Sequence, residues 1–290
     1  MVTRTTSLPP PSGVVNYMDN DAPTISADDS PEIKSEHVRY FLHQLVLDRC
    51  SKDLLNNQDQ GKVARCLADD QFANGSTWHC TGLNIRFKDC RFIHRARLNL
   101  LPVNALKSCL SNTDPTCRHS VQPETLPHVI CHCRPHMVQI RSRHNAIVDR
   151  LTNAVRFGTV TTYRTIANSD LNLRPDIVIE EDNTGIIIDV TCPFDNDEDA
   201  LSVAAQKKIN KYQPLKEFVL STGKKCDVLP FVVGALGSWY KQNELVMNKL
   251  GMTRRYKSLF RKLCCTDATQ GSNNVYRLHL GCDDYVQEEN

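Results

Sequence analysis

The sequence predicts an α/β domain preceded by a mostly helical segment. Three observations carry this reading. Two β-branched runs, at residues 176–179 and 185–190, flank a polar turn, and a third apolar run covers 228–235. Stretches with helical apolar spacing follow at about 199–212, 243–250 and 253–263. Upstream, residues 37–112 read as helices. Strands that alternate with helices mark the α/β class.

The elements follow in order. Residues 1–36 hold five prolines and few large apolar side chains, and read as a disordered tail. The start lacks the apolar core of a secretory signal, and no run nears the ~20 apolar residues of a membrane-spanning helix. The expectation is an intracellular chain with no membrane partner. A helix covers 37–50, and NNQDQG breaks it. Residues 62–81 are ambiguous. Leu67-Ala68-Asp69-Asp70 resembles the Ala-Asp-Asp of polymerase sites but has no strand hairpin or palm before it, so the match carries little. Two short helices are expected around Pro102 within 87–110, and another helix over 143–158, ended by Gly158. Thirteen cysteines in a reducing compartment are thiols or metal ligands, not a disulfide framework. Most read as small core thiols.

The net charge of +2 hides segregation. Nine acidic and no basic residues lie between 176 and 199. Seven arginines lie between 134 and 174, and six basic residues between 249 and 262. An acidic block between basic ones suits a metal site that works on a polyanion; solvated faces are the plain alternative.

The stretch RPDIVIEEDNTGIIIDVTCPF, residues 174–194, is the most informative. It predicts a hairpin with a loop of about five residues, EDNTG. Asp176 and Asp189 sit nearly symmetrically about the turn and so oppose each other, with Cβ atoms about 5 Å apart. Two carboxylates that close repel unless a cation sits between them, and Mg²⁺ suits one or two carboxylates plus a phosphate. Such an ion can polarise a scissile phosphate and activate a water. Alternatively Asp176 caps a strand and Asp189 ends one. On the next helix, at 100° per residue, Leu201, Ala204, Ala205, Lys208 and Tyr212 share a face, Lys207 points away and Lys211 flanks it. A lysine in an apolar stripe needs an acid, which the hairpin supplies, or it snorkels to solvent. His144 shares a face with Ile147, Val148 and Leu151, as a buried, hydrogen-bonded histidine does.

Pro-Asp, a spaced second acid and a nearby lysine resemble the PD-(D/E)XK nuclease signature. Thr191 stands where the lysine usually lies, so Lys208 would serve from the helix. RARLNLLPVNA, the cysteine–histidine patch with PETLPH, RSRHNAIVDRL, RPDIVI, IIDVTCPF, QKKINKY and GALGSWY occur in this order. Together, over residues 37–285, they resemble the C-terminal part of the Pol polyprotein of non-LTR retrotransposons, the R-two class of type-1 elements. The resemblance implies a tail at 1–36, a helical linker at 37–112, a zinc-knuckle-like module at 113–136 and a PD-(D/E)XK-like endonuclease at 137–285. It implies that target DNA in the nucleus is nicked to prime reverse transcription by an upstream polymerase domain absent from this chain. Asp176, Asp189 and Lys208 would be catalytic, with Mg²⁺ on the aspartates. Arg141, Arg143, His144, Lys211, Arg254, Arg255 and Lys257 would contact DNA, with element RNA as a second partner. A non-catalytic nucleic-acid-binding remnant is the rival.

The family's knuckle pattern is Cys, Cys, His, Cys. Cys117, His128 and Cys133 match three positions of it, while Ser120, a poor zinc ligand, takes the second cysteine position. His119, Cys131 or His136 could replace it on Zn²⁺.

Overall fold

The computed structural model describes residues 14–16, 24–26, 38–67, 79, 82–166 and 169–282. The Ala-Asp-Asp string at 68–70, Cys80 and most of the 1–36 tail lie outside them. The chain divides into two compact units, 1–56 and 57–290. In the first, β1 (Val14–Asn16) pairs antiparallel with β2 (Thr24–Ser26), and α1 covers Val38–Asn56. This ribbon lies within the 1–36 span read as a tail.

The second unit is mixed α/β, built on a four-stranded sheet. Its helical lead-in comprises α2 (Gly61–Leu67), α3 (Phe87–Arg97) and α4 (Asn104–Ser111). The last two are the pair expected around Pro102. A turn of π-helix at His128–His132 and a 3₁₀ turn at Arg134–His136 lead into α5 (Met137–Thr152). This helix starts and stops about six residues before its predicted span. Residues 153–158 turn to deliver β3 (Thr159–Thr162), a strand too short and polar to stand out in the sequence. The sheet continues with β4 (Ile177–Glu181), β5 (Thr184–Thr191), α6 (Ala200–Ser221) and β6 (Lys225–Val232). Then come α7 (Asn243–Lys249) and the 26-residue α8 (Arg254–His279).

Strand order is β3-β4-β5-β6. The first three strands are antiparallel, and β6 runs parallel to β5 because α6 carries the chain back across the sheet. The hairpin loop is two residues, not five. Glu181 pairs with Thr184, and Asp182 takes a φ of 47° to close the turn. Aspartate tolerates that left-handed conformation better than most residues.

Pleat alternation sorts the core. Ile177, Ile179, Ile186, Ile188 and Val190 pack with Ile147, Val148 and Leu151 of α5 and with Phe260, Cys264 and Ala268 of α8. Ile187 packs on the other face with Tyr212, Leu215 and Val219 of α6. A third cluster joins Phe92 and Ala96 of α3 to Leu126, Val129, Ile130 and Tyr276. It fixes the cysteine–histidine segment against the end of α8.

α6 continues through Pro214 for nine residues beyond its expected end. Proline removes an amide donor, but burial of Leu215 and Val219 holds the later turns in place. No described helix is long and apolar enough to cross a membrane.

Candidate functional site

The hairpin register pairs Ile177 with Ile188. Asp176 and Asp189 each lie one residue beyond that pair. Both are buried, at 8% and 2% exposure. Asp176 Oδ2 accepts a 2.7 Å hydrogen bond from the Val190 amide, which ties it to the partner strand. His144 Nε2, from α5, lies 3.1 Å from the same oxygen and 3.2 Å from the Val190 carbonyl oxygen. That nitrogen sits between two oxygens as a small cation would. Burial opposes the His144 imidazolium, but the Asp176 hydrogen bond and charge outweigh it and raise its pKa.

Lys208, from α6, forms an ion pair with Asp189. Lys207, one residue earlier, is exposed. Lys211 is exposed along its length, and its ammonium reaches the Tyr212 hydroxyl at 2.8 Å. That hydroxyl in turn donates to the Arg174 carbonyl at 3.0 Å, which pins α6 to the residue two before Asp176. An open cleft of about 480 Å³ beside this cluster is lined by His144, Thr191, Lys207 and Lys208.

The basic residues expected to meet DNA fall into two groups. Arg141, Arg254 and Arg255 are exposed, and Lys257 is half-buried and donates to Asn248 Oδ1. Arg143 is different. It is buried, and its guanidinium donates to Ser272 Oγ at 2.7 Å. A Cβ at Gly271 would fall 2.5 Å from Arg143 Cβ, so the glycine lets α8 close against this side chain. Arg143 joins α5 to α8, and part of it also lines the cleft beside the acids.

The cysteine–histidine residues divide as well. Cys117 and Cys133 are buried and meet His279, the last residue of α8. Cys117 Sγ lies 3.9 Å from His279 Nε2, and Cys133 Sγ lies 3.8 Å from its Nδ1. His128 lies elsewhere, 3.0 Å from Ser120 Oγ. His119 Nε2 donates to the His279 carbonyl at 2.9 Å. Glu124 is the hub. It accepts from the Asn104 amide, from the Arg118 amide and guanidinium, and from His279 Nε2 at 2.9 Å. Burial works against its charge, but Arg118 and these donors hold it down to about 2. Burial, reinforced by Cys117, pushes the Cys133 thiol up to about 11. Burial lowers the pKa of His279 despite Glu124, and burial together with His279 lowers that of His136.

Sequence reasoning missed His279, Glu124 and Asp195. Asp195 is fully buried and accepts from the amides of Leu236 at 2.7 Å and Ser238 at 3.0 Å. It braces the loop that follows β6. Glu124 could have been found, since a carboxylate framed by prolines in PETLP beside cysteines is an unusual core residue. His279 carried no local signal.

No protein-family profile matches the chain. The retrovirus-related Pol polyprotein from type-1 retrotransposable element R2 of Popillia japonica is 31% identical over 174 residues, which cover 57% of this chain. The chain spans about a third of that polyprotein's length, 36%. That similarity relates the chain to the Pol polyproteins of non-LTR retrotransposable elements.

Proposed function

We propose that this chain is a Mg²⁺-dependent DNA endonuclease of the PD-(D/E)XK type, derived from a retrotransposon Pol polyprotein. The observation that carries the proposal is the place of Asp176 and Asp189, each one residue beyond the paired Ile177 and Ile188 of one hairpin, with Lys208 paired to the second acid. The donor set fits the ion, because hard carboxylate oxygens are what Mg²⁺ takes. Asp176 and Asp189 would hold it, and it would supply Lewis-acid polarisation of the scissile phosphate and activation of a water.

The chain's own groups do the rest. Lys208 places positive charge beside Asp189, where charge builds on the phosphate. The Val190 amide fixes the Asp176 carboxylate. His144, hydrogen-bonded to Asp176, orients that carboxylate. Arg141, Lys211, Arg254, Arg255 and Lys257 position the DNA backbone without reading sequence. Nicking of chromosomal DNA to prime reverse transcription would place the protein in the nucleus, with element RNA as template.

One observation favours a second reading. Both acids already have protein partners, Lys208 and His144. A nucleic-acid-binding remnant could keep this arrangement as structure alone. Supercoiled-plasmid nicking decides between the readings. The endonuclease nicks with Mg²⁺ and not with EDTA, and Asp176→Asn or Asp189→Asn abolishes nicking while DNA retention on a gel persists. Binding without nicking, or unchanged nicking by Asp189→Asn, removes the proposal.

A further inference from the structure

We infer that Cys117, Cys133 and His279 hold a zinc ion, with His136 as fourth ligand and Glu124 as the anchor behind His279. The resemblance noted above shares the two cysteines with this set but takes its other positions from residues 120 and 128. In this chain Ser120 and His128 hydrogen-bond to each other at 3.0 Å. The histidine that meets the sulfurs comes from the far end of the last helix.

Four observations converge on the site. The ligand atoms of Cys117, Cys133 and His279 all lie within 4.8 Å of one another, and all three residues are buried. A tetrahedral zinc with Zn–S of about 2.3 Å and Zn–N of about 2.0 Å sets its S···N edges at about 3.5 Å. Cys133 Sγ lies 3.8 Å from Nδ1 and needs only a small contraction, while Cys117 Sγ lies 3.9 Å from Nε2 and must swing towards the Nδ1 side of the ring. His279 Nε2 is engaged by Glu124 at 2.9 Å, which leaves Nδ1, the nitrogen nearer Cys133, with its lone pair for the metal. A carboxylate on the distal nitrogen is the usual way a protein fixes the tautomer and raises the basicity of a metal-bound imidazole. The His119 amide also donates to Cys117 Sγ at 3.4 Å and fixes its position.

The fourth position points to His136. Its Nε2 is buried and makes no hydrogen bond, and its ring stands edge-on with its centroid 5.2 Å from that of His279. His119 is less suited, because its Nε2 is committed to the His279 carbonyl. Two thiolates and two imidazoles form a closed, structural zinc set with no open position. On binding, the two cysteine protons leave to solvent and the ion's charge is balanced by the two thiolates. The ion would staple the segment around 117–136 to the C-terminal end of α8, a coupling that a knuckle ligated only from its own segment would lack.

The test needs no nuclease activity. The protein purified without chelator should carry one zinc per chain by elemental analysis. His279→Ala should lose it, and His128→Ala should keep it. Full zinc occupancy in His279→Ala, or loss in His128→Ala, overturns the assignment. If His279→Ala fails to fold, cobalt decides. Co²⁺ replacing zinc should give sulfur-to-metal charge-transfer absorption from two thiolates. His279→Cys adds a third and should raise that absorption by about half. An unchanged cobalt spectrum in His279→Cys, or a wild-type chain that takes up neither metal, refutes the site.

Discussion

Asp176 and Asp189 flank the last pair, Ile177 and Ile188, of one short hairpin. Asp176 and Val190, its amide donor, are 14 residues apart in sequence. Cys117 and His279 meet across 162 residues, and only because α3, α8 and the cysteine–histidine segment share a core. The first cluster is set by strand register, which a two-residue turn determines locally. The second is set by helix packing over most of the domain. A local site tolerates distant damage and fails when its own side chains change. A site assembled over distance responds to changes that touch none of its ligands.

The largest expected effect tests the local site. Lys208→Ala should slow single-turnover nicking by roughly 10²–10³-fold, as loss of one preorganised electrostatic contact does. Lys207→Ala should behave almost as wild type. Lys211→Ala should fall between, through DNA affinity and its salt dependence. Equal small losses in all three would make the lysines a basic surface and remove the contrast. Glu124→Gln is the next test. It strips the charge from a buried acceptor that serves Asn104, Arg118 and His279. Hydrogen bonds to charged groups are worth about 1.5–3 kcal/mol, so a loss of that order in urea unfolding is expected. A shift below about 0.5 kcal/mol would mean the hub contributes little to stability.

Gly271→Ala tests the distant route directly. The added methyl meets Arg143 Cβ and must force α8 off α5. Overpacking of this kind costs about 1–3 kcal/mol, or roughly 2–4 °C in Tm per kcal/mol for a domain of this size. Metal content should fall with it, whereas nicking per folded molecule should not. The smallest effect concerns pH, in EDTA-treated protein. The His144–Asp176 pair stabilises the fold fully below the ordinary histidine value of 6.5 and loses that contribution as pH rises through the raised value. Wild type should therefore lose its advantage over His144→Asn as pH increases. A constant difference between the two would show that the imidazolium adds nothing.

The same contrast explains what the sequence revealed. Strands β4, β5 and β6 were legible because their β-branched runs are bounded by turn residues, and α6 because its apolar spacing is helical. The burial of Tyr212 follows from counting along a helix. The hairpin loop came out too long because Glu181 and Thr184 are polar residues that nevertheless pair. α8 was cut short at residue 263, since Thr266, Asp267, Thr269, Gln270, Gly271 and Ser272 do not look like the inside of a helix. Several of these small polar residues are buried because other elements come close, and Ser272 bonds Arg143 on α5 and the Ala235 carbonyl. No local pattern records such partners. The partnership of His279 with Cys117 and Cys133 was invisible for the same reason.

The reach of α8 also governs the order in which the protein can be made. Asn273 donates to Asp89 across 184 residues, and the Thr266 hydroxyl donates to the Asn84 carbonyl across 182. The last helix thus closes against the first helices of its unit. A chain growing on the ribosome can form the β4–β5 hairpin as soon as those residues emerge. Phe92, Leu126 and Ile130 must wait, their apolar surface uncovered, until Tyr276 has been synthesised. Long-range closures are slow, and exposed apolar surface invites association in the interval. A message cut short by even a dozen codons before residue 282 would therefore yield a chain with a formed hairpin and an open flank, a natural target for chaperones and proteases.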